Sequence, residues 1–203
     1  VVGYMADCQK RKGHDLFSVV VKHVGTLDPT TKFAILTTQQ CAKYYEDLDN
    51  VVVVTDFGKL TQQAVYAFYH AVDLYAQPSL SEGFGMPVLE ALAAGKLVVH
   101  PDYKPLTEIT TPETSVRVPV IDIRYERLGG SIEYELKRYN PKDFAQAILQ
   151  AKKMVMENKD AIASRCKARA RKFSMPSVYR KLIERIFPEI SQQTTAEAEV
   201  EVT

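Results

Sequence analysis

The sequence predicts an α/β fold, a parallel sheet with helices on both faces. Three observations point there. Short apolar runs alternate with longer amphipathic ones along most of the 203 residues. One run, 51–55, is four valines and a threonine, the composition of a strand covered on both faces. Glycine and proline fall between the runs, where turns and helix ends belong.

Taken in order, residues 1–4 form the first predicted strand. The basic turn Lys10-Arg11-Lys12-Gly13 follows, and then a helix over 15–23. A second strand, 33–37, leads into a short helix over 39–45. The valine strand 51–55 comes next. Thr61 is a good N-cap for a helix reaching about residue 70. A strand over 74–77 stops at Pro78. Pro87 suits the first turn of a helix that stops at Gly95, and 97–100 is another strand. Residues 116–123 alternate weakly. Gly129-Gly130 predicts the turn of a hairpin between 121–127 and 131–136. Pro141 opens a helical pattern running to about residue 172, with a break near Asn158. A last helix covers 176–187. The tail 191–203 has too little apolar content to pack and is expected to be disordered.

Composition narrows the functional classes. With 46% hydrophobic and 25% charged residues the chain reads as globular. A formal net charge of +1 offers no general attraction for nucleic acid. No apolar run approaches the roughly 20 residues of a spanning helix, and no signal peptide is visible. Cys8, Cys41 and Cys166 are odd in number and widely spaced, so neither a disulfide framework nor a zinc site is expected. A reducing, cytoplasmic compartment follows from that. The opening Val1-Val2-Gly3 reads as if it began inside a strand, with an N-terminal portion missing.

The stretch "SEGFGMPVLEALAAG", residues 81–95, carries the chemistry. It follows a strand, where ligands of open parallel sheets bind. Gly83 and Gly85 admit close backbone approach. The N–H groups of Gly85, Met86 and Val88 are expected to point out of the helix N-terminus, which attracts phosphate. Glu90, about one turn in, suits the paired hydroxyls of a ribose. Glu82 is placed for a hydroxylated sugar or a developing positive charge. The plainer explanation, two acids favoured near a helix N-terminus without any ligand, accounts for the charges but not for the glycines between them.

At these residues the chain resembles a known family. "DLYAQPSLSEGFGMPVLEALAAGKLVV", 73–99, is similar to the signature of retaining GT-B glycosyltransferases, family 4 or glycosyl transferases group 1. "RKGHDLF" at 11–17, "VVVVTDFGKLTQQAVYAFYHAVDLY" at 51–75, "PLTEI" at 105–109 and "FSMPSVYRKLIERIF" at 173–187 resemble further family segments. The similarity covers most of 1–190 and is thinnest over 111–140. It implies one Rossmann-like lobe of a GT-B fold, the C-terminal donor-binding lobe over 1–190, with 172–190 as its closing helix and the N-terminal acceptor lobe absent. By similarity Glu82 contacts the donor sugar and Glu90 the ribose. Gly83, Phe84, Gly85 and Met86 lie along sugar and pyrophosphate, Lys12 neutralises the diphosphate, and the loop 55–58, ending at Gly58, borders the base. The family's usual arginine before that lysine is Asp7 here, and Arg11 or Lys10 is left to replace it. The resemblance implies retaining transfer from a nucleotide-diphosphate sugar without a cofactor or essential metal. The acceptor side would come from the missing lobe in cis or from a partner chain.

Other signals are set aside or kept open. Asp47-Leu48-Asp49 looks like a metal-binding D-x-D but falls in a turn and reads as solvated. His14 follows the Lys-Gly turn and reads as a surface residue. Tyr66, Phe68, Tyr69 and Tyr75 read as core. Arg165, Arg169 and Lys172 share a helix face that is either solvated or a peripheral membrane contact. The alternative to an enzyme is a non-catalytic sugar-nucleotide sensor or scaffold. A GT-B epimerase or phosphorylase is disfavoured by the Gly-Phe-Gly context and by the lack of a pyridoxal-lysine motif.

Overall fold

The structure is a computed structural model, and it describes residues 1–187; the expected disordered tail lies outside them. Six strands, β1 (Val2–Met5), β2 (Phe33–Leu36), β3 (Val51–Val54), β4 (Leu74–Ala76), β5 (Leu97–Pro101) and β6 (Ser115–Val118), form one sheet in the order β3-β2-β1-β4-β5-β6. Every pairing in it is parallel. The order reverses between β1 and β4, so these two strands lead their loops to opposite sides and leave a crevice at their C-terminal ends. β7 (Val120–Arg127) and β8 (Glu133–Tyr139) make a separate antiparallel hairpin across the glycine pair.

Helices cover the sheet: α1 (His14–Leu27), α2 (Gln39–Ala42), α3 (Gln62–Ala71), α4 (Met86–Ala93), α5 (Leu106–Ile109), α6 (Pro141–Arg171) and α7 (Met175–Ile186). The core is continuous through the sheet, from Phe17, Phe33 and Phe144 to Tyr75, Leu92 and Val98. α6 opens with the Asn140 side chain accepting from the Lys142 N–H. Its backbone leaves helical geometry at Asn158, at the expected break. The first half meets α1, with Phe144 edge-on to Phe17 and Lys152 paired to Asp28. The second half meets the end of α4, where a Cβ on Gly95 would lie 3.1 Å from that of Ala163. The break lets one helix serve two neighbours. No helix among the described residues is long and apolar enough to cross a membrane.

Several expectations are corrected. The valine strand is the sheet edge, with Val52 66% exposed. Its composition specifies a strand, but the crossovers set its place. The helix expected over 39–45 ends at Ala42, and its continuation is a turn. Tyr69 and Tyr75 are core, whereas Tyr66 is exposed. Cys8 and Cys41 form a disulfide, their Cα atoms 5.4 Å apart. They are 33 residues apart in sequence, but each lies just beyond the C-terminal end of one of the adjacent strands β1 and β2. This removes the ground on which a reducing compartment was expected. Arg169 leaves the expected basic face: its guanidinium donates to the Glu108 and Ile109 carbonyls at the end of α5 and stacks on Phe173.

Two histidines, His14 and His100, are built into the interior, His14 against the expectation of a surface residue. His14 takes the Tyr45 hydroxyl at Nδ1 (2.8 Å) and donates from Nε2 to the Asp7 carbonyl (2.9 Å). His100 is bracketed by the Pro101 carbonyl and the Thr110 hydroxyl, both at 2.8 Å. Burial pushes the His100 imidazole down to about 4 and lowers His14 as well. An unfolded imidazole titrates near 6.5, so the unfolded chain takes up protons first on acidification. The stability from His100 is then complete above about pH 6.5 and is lost as pH falls toward about 4. Denaturant titrations at pH 7 and about pH 4.5 should differ by about 2 kcal/mol from this group. His100→Asn should flatten the fall, and an unchanged pH profile would refute the assignment.

Candidate functional site

The two loops that meet at the switch point are 6–13, after β1, and 77–85, after β4. They are locked together through their backbones. The Leu80 N–H donates to the Arg11 carbonyl at 2.7 Å. Gly13 is left-handed (φ 73°), and a Cβ there would lie 2.8 Å from the Pro78 carbonyl oxygen. The second loop is pinned from elsewhere too. Lys137 of β8 donates its backbone N–H to the Leu80 carbonyl, and the Tyr103 hydroxyl donates to the Ser79 backbone carbonyl, both at 2.8 Å. Tyr4 holds the first loop by donating to the Lys12 carbonyl at 2.6 Å.

This locking brings opposite charges together. Lys12 Nζ is 2.7 Å from Glu82 Oε1, and Arg11 Nη1 is 3.6 Å from Oε2. The Glu82 side chain is only 6% exposed and that of Lys12 12%. Gln77, wholly buried at the end of β4, donates to the same Oε1 at 2.9 Å. Glu82, expected to reach a hydroxylated sugar or a developing positive charge, is folded against the two cations. Lys10 pairs with Glu126 of the hairpin, which leaves Arg11 as the residue beside Lys12. Asp7 does not join them: its Oδ2 accepts from Gln9, and its Oδ1 is buried without a partner.

The mouth of α4 is reached by a left-handed turn at Gly85 (φ 96°), where a Cβ would come within 2.7 Å of Leu106 Cδ2. Gly85 therefore has an internal packing reason. Gly83 has none, since a Cβ there would enter open space. The Val88 N–H, expected to be free, donates to the Gly85 carbonyl at 2.9 Å, because the first turn of α4 tightens. Phe84 and Met86 are both exposed, Phe84 lying edge-on to Phe173.

Glu90 is half-buried and accepts the Tyr69 hydroxyl on Oε2 at 2.7 Å. It lines a groove of about 280 Å³ between α3 and α4, with Tyr69, Met86 and Leu89. A second crevice, about 510 Å³, opens at the ends of β1, β2 and β3 between Gln9, Thr38, Thr55, Phe57 and Lys59. Gly58, left-handed with open space around it, lies in the loop at its edge. Asp47 and Asp49 are exposed in a turn. Sequence reasoning missed Gln77 and treated Tyr69 only as core. The one available signal for Gln77 was an amide ending the apolar strand Leu74-Tyr75-Ala76.

The site thus joins two cations to a buried carboxylate in the loop that leads to the α4 N-terminus, and helix N-termini and paired cations are in general features that favour anions. The family model described as glycosyl transferases group 1 matches residues 1–173. The chain belongs to this family. Within glycosyl transferases group 1 it is similar to an uncharacterized glycosyltransferase of Sulfolobus islandicus rod-shaped virus 1, at 26% identity over 188 residues, 90% of this chain and 55% of the viral protein. Its fold matches Staphylococcus aureus TarM, crystallised with fondaparinux, α-GlcNAc-glycerol and UDP (TM-score 0.61, 23% identity, 90% of this chain, 34% of TarM). It also matches the C-terminal domain of a group 1 protein from Francisella tularensis, LpcC, with TM-score 0.57, 17% identity and 86% of each chain covered. The chain thus spans about half of the viral relative and a third of TarM. The expected GT-B, Rossmann-like fold is shown by these matches together with the strand order.

Proposed function

We propose that this chain is the donor-binding lobe, residues 1–190, of a hexosyltransferase-like enzyme. It binds a nucleoside-diphosphate sugar for retaining, metal-independent transfer to an acceptor held by an N-terminal lobe in cis or by a partner chain. The observation that carries the reading is the Lys12–Glu82–Arg11 cluster at the switch point, its carboxylate in the loop that runs through Gly85 into α4. Breaking a sugar–phosphate bond leaves negative charge on the departing oxygens and positive charge on the sugar. Lys12, Arg11 and the α4 N-terminus stabilise the first, and Glu82 the second. Gly83 offers its open face to the sugar, with Phe84, Gly85 and Met86 alongside. Glu90 takes the ribose hydroxyls, and the crevice beside Gly58 takes the base.

The need for another lobe is supported by α7, whose Met175, Val178, Leu182, Ile183 and Ile186 are all exposed. That stripe repeats at helical spacing and has no partner among the described residues. On this reading the chain alone binds donor weakly and transfers little.

The test is calorimetric titration with UDP, GDP, ADP and their glucose or mannose conjugates. Glu90→Ala is expected to weaken the preferred nucleotide about tenfold or more, with or without sugar, since it removes bonds to a charged acceptor. Affinity equal to wild type would remove the ribose assignment.

A further inference from the structure

We infer that Gln77 is a positioning residue that keeps the Glu82 carboxylate aimed at the donor sugar once the diphosphate has drawn Lys12 away. The inference rests on the donor site proposed above, and it starts from an anomaly in the β4 loop. Gln77 is wholly buried, and its Nε2 donates to Ser79 Oγ at 2.8 Å and to Glu82 Oε1 at 2.9 Å. Its own Oε1 is buried without a partner. Turning the amide over would not relieve this. It would set carbonyl oxygen against carboxylate oxygen and orphan an N–H instead.

An unpaired buried carbonyl is a standing cost that an apolar side chain of the same shape would avoid. The preceding strand residues, Leu74, Tyr75 and Ala76, show that this position lies in an apolar layer. The amide is therefore retained for what its N–H groups hold, and one of those partners is the site carboxylate.

Glu82 Oε1 has two strong donors, Lys12 and Gln77. Oε2 has only Arg11, at 3.6 Å. A bound diphosphate competes for both cations, since phosphate oxygens are better partners for them than a shared carboxylate. Gln77 carries no charge and does not respond to that competition. With Lys12 and Arg11 turned to phosphate, the Gln77 N–H still fixes Oε1, and Oε2 is left open for a sugar hydroxyl. Gln77 thereby acts in the loaded state, through Glu82, without touching donor.

The test compares wild type, Gln77→Leu, Glu82→Gln and the double variant by calorimetry. The probes are UDP against UDP-glucose and GDP against GDP-mannose. Gln77→Leu should keep nucleoside-diphosphate affinity within about twofold and lose about tenfold of the extra affinity that the sugar confers. The double variant should lose no more than Glu82→Gln alone, because the two act as one unit. Additive losses, or equal losses for diphosphate with and without sugar, would overturn the inference. A second readout needs no donor. The Gln77 side-chain amide resonances, shifted by the carboxylate, should move in Glu82→Gln and hold still in Glu90→Gln. Unmoved resonances in Glu82→Gln would also overturn it. If wild type shows no sugar-dependent gain with any probe while those resonances move, the hold on Glu82 stands and the donor-site reading fails.

Discussion

Replacing Lys12 by methionine is expected to destabilise the fold by about 3 kcal/mol and to abolish nucleoside-diphosphate binding. Little water reaches the pair. With side chains 12% and 6% exposed, Lys12 and Glu82 are far from the screened surface pairs worth less than about 1 kcal/mol. Removing the cation leaves a nearly buried carboxylate held by Gln77 and by a 3.6 Å contact to Arg11. Breaking one side of such a pair typically costs about 3–5 kcal/mol, and the remaining arginine keeps the expected value at the low end. For a domain of this size that is a fall of roughly 6–12 °C in Tm. The Lys12→Met, Glu82→Gln double variant should recover most of the stability, since no buried carboxylate is then stranded and Arg11 keeps its bonds to Gln9 and the Ser81 carbonyl, and none of the diphosphate affinity. Thermal unfolding and calorimetry on wild type, Lys12→Met, Glu82→Gln and the double variant separate the two effects. Recovery of binding in the double variant would show that Lys12 does not meet the diphosphate.

Gly13→Val should be at least as damaging, at about 4 kcal/mol. Two penalties combine. The residue sits at φ 73°, which costs a β-branched side chain about 1–2 kcal/mol or more. Its Cβ would also lie 2.8 Å from the Pro78 carbonyl, a backbone atom that cannot swing aside. Relief requires the two site loops to part, which breaks the Leu80–Arg11 backbone bond and moves Lys12 away from Glu82. Gly58 is the control. It has φ 79° but no atom within 4 Å of a built Cβ, so Gly58→Ala should cost about 1 kcal/mol. Denaturant titration of both variants measures the contrast. Equal losses would mean that the contact between the loops contributes nothing.

Much of the architecture was legible because it is written in local periods. Pro87 and Gly95 bracketed α4 to within about two residues, the glycine pair located the hairpin, and Asn158 marked the interruption of α6. Each is a backbone preference carried by the residue itself. The errors share another character. Val51–Val54 reads as interior from its composition, yet it lies at the rim because, among the described residues, no later strand crosses over to cover it. Cys8 and Cys41 look unrelated in a linear count, and they meet because β1 and β2 are neighbours in parallel. His14 looked like a surface residue until Tyr45 closed over it.

The same division runs through the candidate site. The amino-acid sequence by itself determined which groups are available: a basic turn, a glycine-lined helix entry and two acids, each placed after a strand by hydrophobic pattern and turn chemistry. Only the tertiary structure decided their pairings. Lys12 and Glu82 are 70 positions apart, and what joins them is the reversal of strand order between β1 and β4. Tyr69 meets Glu90 across 21 positions because α3 and α4 flank β4, whereas Gln77 meets Glu82 within the one loop, five positions away. Side-chain contacts across a sheet depend on which strands and helices become neighbours, and no local period records that.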